Sequence, residues 1–421
     1  MTALVVGAAR SGIAVARHLS RAGERVVVTD RRTQADLASA IESMPRGVEL
    51  KLGGYDSGLL TGVDAVYASP GVPWDADLLQ EARRRGIPVS SEIDLFLKLC
   101  PGTVVGITGT NGKTTTTALA GEVLAAGDRP VIVGGNIGET VLDRLPEVTP
   151  RHWVVLELSS FQLESVEQAH VHVGAILNIT PDHLDRHGTF ERYVDIKARV
   201  IEFAGADDFA VLNGHDEVVR GLASRTRAKV VWFDEHRPLP PMPVPGAHNL
   251  MNALAAAAIG RIAGLDDAQI DGAIAGFKGV EHRLELVGES GGVRWFNDSK
   301  ATNPDAGRVA LTSFPDTHVV LIAGGYGSGF ELGEWLRDVR DHVAAVVLIG
   351  ASAPLLEKEL RGHAKVIRAE SLADAVEIAA SLSQPGGVVL LSPAYKSFDM
   401  FKDFEDRGRQ FKNLVRQRFA A

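Results

Sequence analysis

The residues best suited to chemistry lie at 104–117, where the sequence reads VVGITGTNGKTTTT. A short apolar run, typical of a buried parallel strand, leads through a glycine-rich turn to Lys113 and a helix-forming stretch ending near Ala126. Glycines let backbone N–H groups point at phosphates, the helix N-terminus adds positive charge, lysine reaches the outer phosphates, and a hydroxyl can bind Mg²⁺. Ile107 replaces the first glycine of the strict P-loop pattern, which leaves an ordinary strand–helix turn as the alternative. Because strand, Gly-Lys-Thr and helix occur together, we predict a nucleoside-triphosphate site.

Acidic and imidazole side chains follow the next two apolar strands. Glu157 stands at the end of one strand, and His183 follows the other together with Asp182 and Asp185. Alone, Glu157 would be interpreted as a surface carboxylate and His183 as a core or helix-capping histidine. Beside a phosphate loop, such groups are what a Mg²⁺–triphosphate needs, because Mg²⁺ prefers oxygen ligands and few protein contacts.

The first 30 residues alternate strand, glycine turn, helix and strand, as in a dinucleotide-binding unit. Ala9 occupies the position of the middle glycine, which hinders close approach to a pyrophosphate, so a purely structural turn is an equal alternative. Asp30 is more suggestive, because carboxyl ends of parallel strands face the binding crevice. By itself this unit would suggest a nicotinamide-dependent oxidoreductase, but that reading leaves Lys113, Glu157 and His183 unexplained.

Composition narrows the class of protein. The chain has 421 residues, 45% of them hydrophobic and 23% charged, which is ordinary for a globular protein of two or three domains. A net charge of -9 argues against nucleic acid or an anionic membrane as the main partner. The single cysteine, Cys100, excludes an intrachain disulfide and a cysteine-based zinc site. The start of the sequence lacks a basic leader and no apolar stretch reaches membrane length, so we expect a cytoplasmic protein.

Strand and helix patterns alternate along the whole chain, which predicts an α/β protein with three doubly wound parallel-sheet domains. We place these domains at 1–91, 92–277 and 278–421. The proline-rich segment 237–246 is interpreted as a rigid connector of extended type.

A series of motifs extends over nearly the full length of the chain: GTNGKT, GGNIG, ELSSFQLE, NITPDHLDRHG, HNLMNALAA, HRLE, DSKATN and SPAYKSFDMFKDFEDRG. In this combination and order the chain resembles the Mur ligase family of peptidoglycan synthesis. The resemblance implies a Rossmann-like N-terminal domain that binds a UDP substrate, a P-loop ATPase-like central domain that binds ATP, and a mobile Rossmann-like C-terminal domain that binds an amino acid.

The resemblance also implies a reaction. The carboxylate of UDP-N-acetylmuramoyl-L-alanine would attack the γ-phosphate of ATP, giving ADP and an acyl phosphate, and the amine of glutamate would then displace phosphate. The intact motifs favour D-glutamate, with L-glutamate as the alternative. A folylpolyglutamate-synthase-like ligase shares the central motifs but would begin at the phosphate loop, and a non-catalytic relative would not be expected to keep these motifs. We expect two Mg²⁺ ions, a carbamylated lysine, and a monomeric enzyme.

Site residues follow from the resemblance, position by position in this sequence. The implied catalytic residues are Lys113, Glu157, His183 and Lys197. The implied metal ligands are Thr114, Glu157, His183 and the carbamate of Lys197; without the resemblance Lys197 would be interpreted as a surface helix lysine. The residues expected to bind ATP are Gly109, Thr110, Asn111, Gly112, Lys113, Thr114, Thr115, Asn249, Asn252, Arg283 and Asp298. Those expected to bind the nucleotide-linked substrate are Ser11, Asp30, Arg31, Gly71 and Asn136, and those expected to bind the amino acid are Lys300, Thr302, Lys396, Ser397 and Phe404.

One position departs from the family pattern. The family usually has a lysine soon after the Gly-Gly turn that follows the strand after DSKATN, whereas the turn at 324–330 reads GGYGSGF and carries no charge. Lys396, in turn, stands where the family usually has a small neutral residue before Ser397. We hypothesise that Lys396 takes over the contact with a glutamate carboxylate; the alternative is that it faces solvent.

Overall fold

A computed structural model describes residues 1–138, 140–168, 170–233, 238–240, 242, 248–327, 332–362 and 365–420, without the side chains of Ser39 and His248. Most of the proline-rich connector and the last three residues of the 324–330 turn lie outside the described residues. In the part of the chain that is described, no helix is both long and apolar enough to cross a membrane.

The first sheet is fully parallel and has the strand order β3-β2-β1-β4-β5. Its strands are β1 (Thr2–Val6), β2 (Arg25–Asp30), β3 (Glu49–Leu52), β4 (Ala65–Ala68) and β5 (Val89–Ser91). The helices of this region are α1 (Arg10–Arg21), α2 (Ala38–Glu42), α3 (Asp77–Arg84) and α4 (Glu92–Leu99). The order reverses between β1 and β4, which is where ligands of such sheets bind.

The second sheet is also fully parallel, with the order β11-β10-β9-β6-β8-β7. Its strands are β6 (Thr103–Thr108), β7 (Val131–Gly135), β8 (Trp153–Glu157), β9 (Val173–Ile176), β10 (Phe209–Leu212) and β11 (Lys229–Trp232). The helices are α5 (Lys113–Ala125), α6 (Ser160–Leu163), α7 (Leu184–His187), α8 (Phe190–Glu202), α9 (Glu217–Gly221), α10 (His248–Ile262) and α11 (Asp267–Gly276). The chain crosses from β8 past β6 to β9, so the phosphate loop after β6 lies at the switch point.

The third sheet has the order β12-β13-β17-β14-β15-β16. Its strands are β12 (Glu285–Ser290), β13 (Val293–Asn297), β14 (Val319–Gly324), β15 (Val343–Ile349), β16 (Val366–Arg368) and β17 (Val388–Leu391). The helices are α12 (Pro304–Leu311), α13 (Gly333–His342), α14 (Ala353–Glu359), α15 (Leu372–Leu382) and α16 (Phe404–Ala420).

The third sheet corrects one expectation, because β12 and β13 pair antiparallel and the sheet is mixed. Gly291 and Gly292 form the two-residue turn between them and both have positive φ, 59° and 75°. Such a turn matches the twist of a hairpin and strongly favours glycine. The remaining strand pairs of this sheet are parallel, as predicted.

The three-domain α/β architecture is confirmed, with one sheet in each of the three predicted segments, whereas the boundaries themselves remain predictions. By contacts the chain divides into two compact units: Met1–Leu239 with Met251–Ile274, and Pro240–Leu250 with Ala275–Ala421. The first unit contains the first two sheets and a hydrophobic core with side chains from both, such as Val5 of β1 and Val154 of β8.

A buried acid lies in the core of the first unit. Glu92 begins α4, is 2% exposed, and accepts a hydrogen bond from the backbone of Leu142 at 3.1 Å. Burial, with a smaller contribution from nearby Asp143, raises the pKa of Glu92 from 4.5 to about 7. Asp143 is itself held by Arg17 at 2.7 Å. Because the folded state binds this proton more tightly than the unfolded state, stability falls as pH rises from about 4.5 towards 7.

We therefore expect Glu92→Gln to stabilise the protein relative to wild type by about 1–3 kcal/mol at pH 8 but to change little at pH 5. Glutamine keeps the oxygen that accepts from Leu142 and cannot ionise. Denaturant unfolding at both pH values measures this difference, with the exposed Glu122→Gln on α5 as the matched control. Equal stabilisation at the two pH values would contradict the argument.

Candidate active site

The predicted phosphate loop joins β6 to α5 and depends on two glycines. Gly109 and Gly112 have φ values of 155° and 84°, which favour glycine strongly. A Cβ on Gly112 would lie 2.4 Å from Oδ1 of Asn252, so any side chain here would displace that asparagine. Thr114 and Thr115, in the first turn of the helix, are both buried. The loop therefore presents backbone and a helix N-terminus at the carboxyl end of the sheet.

A second segment holds this loop in place. Asn178 accepts a hydrogen bond from the backbone N–H of Asn111 at 2.8 Å and donates to the Asn111 carbonyl at 3.1 Å. Thr110 and Thr180 exchange two further hydrogen bonds through the Thr110 hydroxyl. The sequence analysis did not identify Asn178 as a functional residue, although its place at a strand end beside the acidic cluster was a usable signal. These contacts preorganise the loop.

Two lysine side chains meet at one carbonyl of the loop. Nζ of Lys113 donates to the Gly109 oxygen at 3.0 Å, and Nζ of Lys197 donates to the same oxygen at 2.8 Å. Lys197 is 1% exposed, so its interpretation as a surface lysine is wrong. Burial, followed by the charge of Lys113, holds the pKa of Lys197 well below its usual value. The neutral amine of Lys197 is therefore reached at a lower pH than that of an exposed lysine.

Glu157 offers an open ligand position beside the loop. It ends β8 and is only 2% exposed, so the surface-carboxylate interpretation is wrong. Asn136 donates to its Oε1 at 3.0 Å, while Oε2 is buried with no hydrogen-bond partner among the described residues. An unpartnered buried carboxylate oxygen is costly unless a cation or another donor satisfies it.

These groups fit a Mg²⁺–triphosphate better than a metal held by protein side chains alone. No cluster of three or more His, Cys, Asp or Glu side chains in the described ranges could hold an ion. Mg²⁺ usually takes one or two protein oxygens and completes its shell with phosphates and water. The carboxylate of Glu157 and the hydroxyl of Thr114 are ligands of this kind.

His183 lies after β9, the strand next to β6, and directly precedes α7 with a left-handed backbone at φ 51°. Its side chain is 47% exposed, and Nε2 lies 3.5 Å from Oδ2 of Asp182. The imidazole packs on Phe161, with ring centroids 4.9 Å apart. The histidine is thus exposed at the carboxyl end of the sheet and oriented by an aromatic neighbour.

The two asparagines predicted to bind ATP, Asn249 and Asn252, differ in their placement. Both are buried and lie on α10, and Asn252 accepts a hydrogen bond from the Thr116 hydroxyl at 3.1 Å. Asn252 therefore contacts the N-terminal part of α5, next to Gly112. Asn249, in the first turn of α10, belongs to the second compact unit.

In the first sheet, Asp30 organises its own turn. Its carboxylate accepts hydrogen bonds from the Ala8 backbone at 2.8 Å and from Arg32, whose guanidinium binds both oxygens. Hydrogen bonding to Arg32 is the largest of the effects that lower the pKa of Asp30 to about 2. Ser11 lies nearby in the first turn of α1. The sequence analysis missed Arg32, although an arginine two residues after a strand-end aspartate was a usable signal.

Arg31 lines a cavity of about 570 Å³ at the carboxyl end of β2 and β3. Its guanidinium lies 5.0 Å from the centroid of the Tyr55 ring, and both line the cavity with the first turn of α3. Gly71 is exposed in the neighbouring 69–72 turn.

In the second unit, Asp298 follows β13 and is 5% exposed. Its oxygens accept hydrogen bonds from the Ser392 hydroxyl at 2.8 Å and the Leu284 backbone at 3.2 Å. Burial raises the pKa of Asp298 to about 7, against the opposing effects of Ser392 and Arg283. Asp298 and Arg283 are therefore close enough to interact, as their shared predicted role requires.

The loops that carry the predicted amino-acid residues are tied together by Arg407. This buried arginine donates to the hydroxyl and carbonyl of Ser299 at 2.9 Å each and to the Tyr395 carbonyl. Ser299 also donates to the Phe404 carbonyl at 2.8 Å. The segments containing Lys300, Thr302, Ser397 and Phe404 thus share one anchor, which the sequence analysis missed because Arg407 resembles any other arginine of a charged helix.

The hypothesis for Lys396 required two loops to lie together, and they do. The N–H of Tyr326 donates to the Lys396 carbonyl at 2.7 Å, forming an isolated antiparallel bridge. A Cβ on Gly325 would lie 2.2 Å from that same oxygen. Lys396 is exposed and Ser397 is buried, so the lysine side chain is available beside the glycine turn.

Comparison with known proteins gives a consistent result over the whole chain. Family profiles described as "Mur ligase MurD-like, N-terminal domain", "Mur ligase middle domain" and "Mur ligase, glutamate ligase domain" match residues 1–91, 107–239 and 282–395. A Pelotomaculum thermopropionicum protein described as UDP-N-acetylmuramoylalanine--D-glutamate ligase is 41% identical over 440 residues, covering 98% of this chain and 96% of that one. A protein of the same description from Koribacter versatilis is also 41% identical, covering 98% and 97%.

Solved structures show the same fold at lower identity. A UDP-N-acetylmuramate-alanine ligase from Thermotoga maritima superposes with a TM-score of 0.62 at 21% identity, covering 99% of this chain and 100% of that one. A MurF ligase from Thermotoga maritima, determined in complex with ADP, gives 0.59 at 19% identity, covering 94% and 96%. At these identities the likeness concerns the fold alone.

Proposed function

This chain belongs to the Mur ligase family, and we propose that it joins D-glutamate to UDP-N-acetylmuramoyl-L-alanine while ATP is converted to ADP and phosphate, a step of peptidoglycan precursor synthesis. The observation that carries the proposal is the predicted phosphate loop with Lys113, the buried Lys197 beside it, and the buried Glu157 oxygen that has no hydrogen-bond partner among the described residues. The description shared by the 41%-identical relatives favours D-glutamate over L-glutamate. A folylpolyglutamate-synthase-like enzyme would lack the first sheet domain.

In the first step, the alanyl carboxylate attacks the γ-phosphorus of ATP and ADP leaves. Such a transfer depends on positioning and charge neutralisation more than on covalent help from the protein. Backbone N–H groups of 109–112 and the α5 N-terminus hold the phosphates, and Lys113 leaves its carbonyl partners for the γ-phosphate. Thr115, in the same first turn of α5, is assigned to ATP binding as well.

Two Mg²⁺ ions would supply the remaining positive charge at the transferred phosphoryl group. We assign Thr114 and Glu157 to one ion, and His183 with a carbamate on Lys197 to the second. The supporting observations are the open Oε2 of Glu157 and the burial of Lys197 beside the loop. Asn136, which donates to Oε1 of Glu157, is close enough to the metal site to contact the alanyl end of the substrate.

In the second step, the amine of glutamate attacks the acyl carbon and phosphate leaves through a tetrahedral intermediate. We assign glutamate binding to Lys300, Thr302, Ser397 and Phe404, whose segments share the Arg407 anchor, and Lys396 to a glutamate carboxylate. Asn249, Asn252, Arg283 and Asp298 are assigned to the adenosine and phosphates of ATP.

The first sheet domain would hold the uridine diphosphate. The cavity beside Arg31, the exposed turn at Gly71 and the helix start at Ser11 all lie at the carboxyl ends of its strands. Asp30 would act mainly by shaping the turn, because its oxygens are already engaged. We also infer that the protein is cytoplasmic and that it is a monomer. Light scattering of the purified protein would test the monomeric state.

The direct test is phosphate release with UDP-N-acetylmuramoyl-L-alanine, ATP and Mg²⁺ against a panel of amino acids. The expected result is phosphate release that requires the nucleotide substrate, ATP, Mg²⁺ and D-glutamate together. Release with L-glutamate in place of D-glutamate would select the alternative stereochemistry, and release with a folate in place of the nucleotide substrate would overturn the proposal.

Lys396 provides a finer prediction. If its ammonium binds a carboxylate of the amino acid, Lys396→Ala should raise the KM for D-glutamate by about tenfold, the usual scale for one charge-assisted hydrogen bond, with little change in kcat. The matched control is Lys402→Ala, an exposed lysine six positions further along the same segment. An unchanged KM for the preferred enantiomer would show that Lys396 faces solvent.

A further inference from the structure

Arg186, on the short helix α7, joins two parts of the first unit that are far apart in sequence. Its Nε and Nη2 donate to the same oxygen of Glu164 at 3.1 and 2.8 Å. Nη2 also donates to the carbonyl of Val72 at 2.9 Å and lies 3.5 Å from that of Pro70. The two charged side chains are only 15% and 4% exposed, so this is a shielded ion pair rather than a surface contact.

The same guanidinium is also connected to His183. It lies 5.3 Å from the centroid of the Phe161 ring, and the His183 ring packs on Phe161 at 4.9 Å. The backbone adds a second connection, because the N–H of Arg186 donates to the His183 carbonyl at 3.0 Å. A displacement of Arg186 would therefore move the support of His183 as well as the 69–72 turn.

We propose that Arg186, anchored by Glu164, is a positioning residue that fixes the 69–72 turn, and with it the nucleotide end of the substrate, relative to His183. This inference rests on the proposed function, since it assigns the turn to the UDP substrate and His183 to the phosphoryl-transfer site. The long substrate must place its carboxylate at the γ-phosphate while its nucleotide is held elsewhere, so the spacing between these two sites determines the reacting geometry.

The planar guanidinium makes this set of contacts with two of its nitrogens, Nε and Nη2. Arginine presents several N–H groups in a rigid fork, whereas lysine has one compact ammonium, so Arg186→Lys keeps the charge but loses the second donor to Glu164 and the planar group beside Phe161. Arg192 is a natural comparison, because it also approaches Glu164, at 3.6 Å to the other oxygen, and is half exposed. In the described ranges of the chain Arg192 makes no hydrogen bond to the 69–72 turn.

The kinetic test compares Arg186→Lys with Arg192→Lys. For Arg186→Lys we expect the KM for UDP-N-acetylmuramoyl-L-alanine to rise about tenfold to a hundredfold and kcat to fall, with the KM for ATP changed less than about twofold. Arg192→Lys should change none of the three by more than about twofold. Equal effects of the two variants, or a uniform loss that includes the KM for ATP, would overturn the proposal in favour of a general structural role.

Hydrogen exchange of the free protein tests the coupling without any substrate. Peptides covering the 69–72 turn and α7 should both exchange faster in Arg186→Lys, and to a smaller extent in Glu164→Gln, but not in Arg192→Lys. Unchanged exchange of the turn in a folded Arg186→Lys protein would overturn the proposal. If the wild-type enzyme failed to use the UDP substrate, the proposed function would fall while this exchange result would still decide the coupling.

Discussion

Replacing Lys113 with alanine is expected to lower kcat by a factor of about 10² to 10³. Its ammonium lies on the phosphate loop, 3.0 Å from the Gly109 carbonyl and 2.8 Å from that of Thr110. From there a rotation of the side chain suffices to reach a phosphate bound by the loop. In the transition state negative charge redistributes over the oxygens of the transferred phosphoryl group, so the lysine charge stabilises the transition state more than the ground state. Removal of one preorganised group of this type typically lowers kcat by this factor.

A matched control is Lys229→Ala, an exposed lysine that begins the edge strand β11 of the same sheet. It should leave phosphate release unchanged. The variant Lys113→Ala should retain the circular dichroism of wild type, since Lys113 makes its hydrogen bonds to a loop that Asn178 also holds. Phosphate release near the wild-type rate in Lys113→Ala would refute the assignment of this loop to the triphosphate.

The geometry of the loop between β6 and α5 was predictable because its signal is local. A strand, two glycines with positive φ, a lysine and a helix follow one another within 15 residues, so no long-range information was needed. The support of the loop was not predictable in the same way. Asn252 touches Thr116 from 136 positions away, and no periodicity in the sequence brings the two together.

Some edge strands carry a weak sequence signal for a related reason. The strands β3, β11 and β16 lie at the sides of their sheets, and their residues are mostly half-buried or exposed. An edge strand has one free side and packs less, so its sequence lacks the continuous apolar run that marks a central parallel strand such as β8. The hairpin at Gly291 and Gly292 had a local signal, its two consecutive glycines. The parallel pattern of the other strands favoured a fully parallel sheet instead.

Buried charges were the hardest class to predict. Arg407 has no exposed surface, yet its helix α16 is rich in charged residues, and although Arg407 lies in the last of the quoted motifs, neither its residue type nor its neighbours indicate burial. The exposed Arg409 lies only two positions later. The role of Arg407 follows from carbonyls of Ser299 and Tyr395 that the fold brings to it. Burial of Lys197 became evident in the same way, whereas its role was implied only by the family resemblance.

Carbamylation of Lys197 is the second prediction with a large effect. A primary amine adds to CO₂ only in its neutral form, giving a carbamate and releasing a proton. Burial and the charge of Lys113 lower the pKa of Lys197, so the neutral amine becomes available at a lower pH than for an exposed lysine. Once formed, the carbamate is an anion. The positive charge of Lys113, which binds the same Gly109 carbonyl and disfavours an ammonium on Lys197, then favours the carbamate.

We therefore expect Lys197→Ala to lower kcat by at least the same factor of about 10² to 10³, because the proposed metal ligand is lost. Added formate or acetate should restore part of the activity by occupying the space of the carbamate. The exposed Lys229→Ala variant should show neither loss nor rescue, and Lys197→Arg, which keeps a charge but cannot be carbamylated, should remain inactive.

The modification itself can be observed with ¹³C-labelled CO₂. Wild-type protein should give a carbamate signal that disappears in Lys197→Arg and grows with pH, since the neutral amine becomes more abundant. Because Lys113 contributes to the low pKa of Lys197, the signal in Lys113→Ala should require a higher pH than in wild type. A structure with both Mg²⁺ ions bound and an unmodified Lys197 directed into solvent, or an active Lys197→Arg enzyme, would show that a carbamate has no part in the reaction.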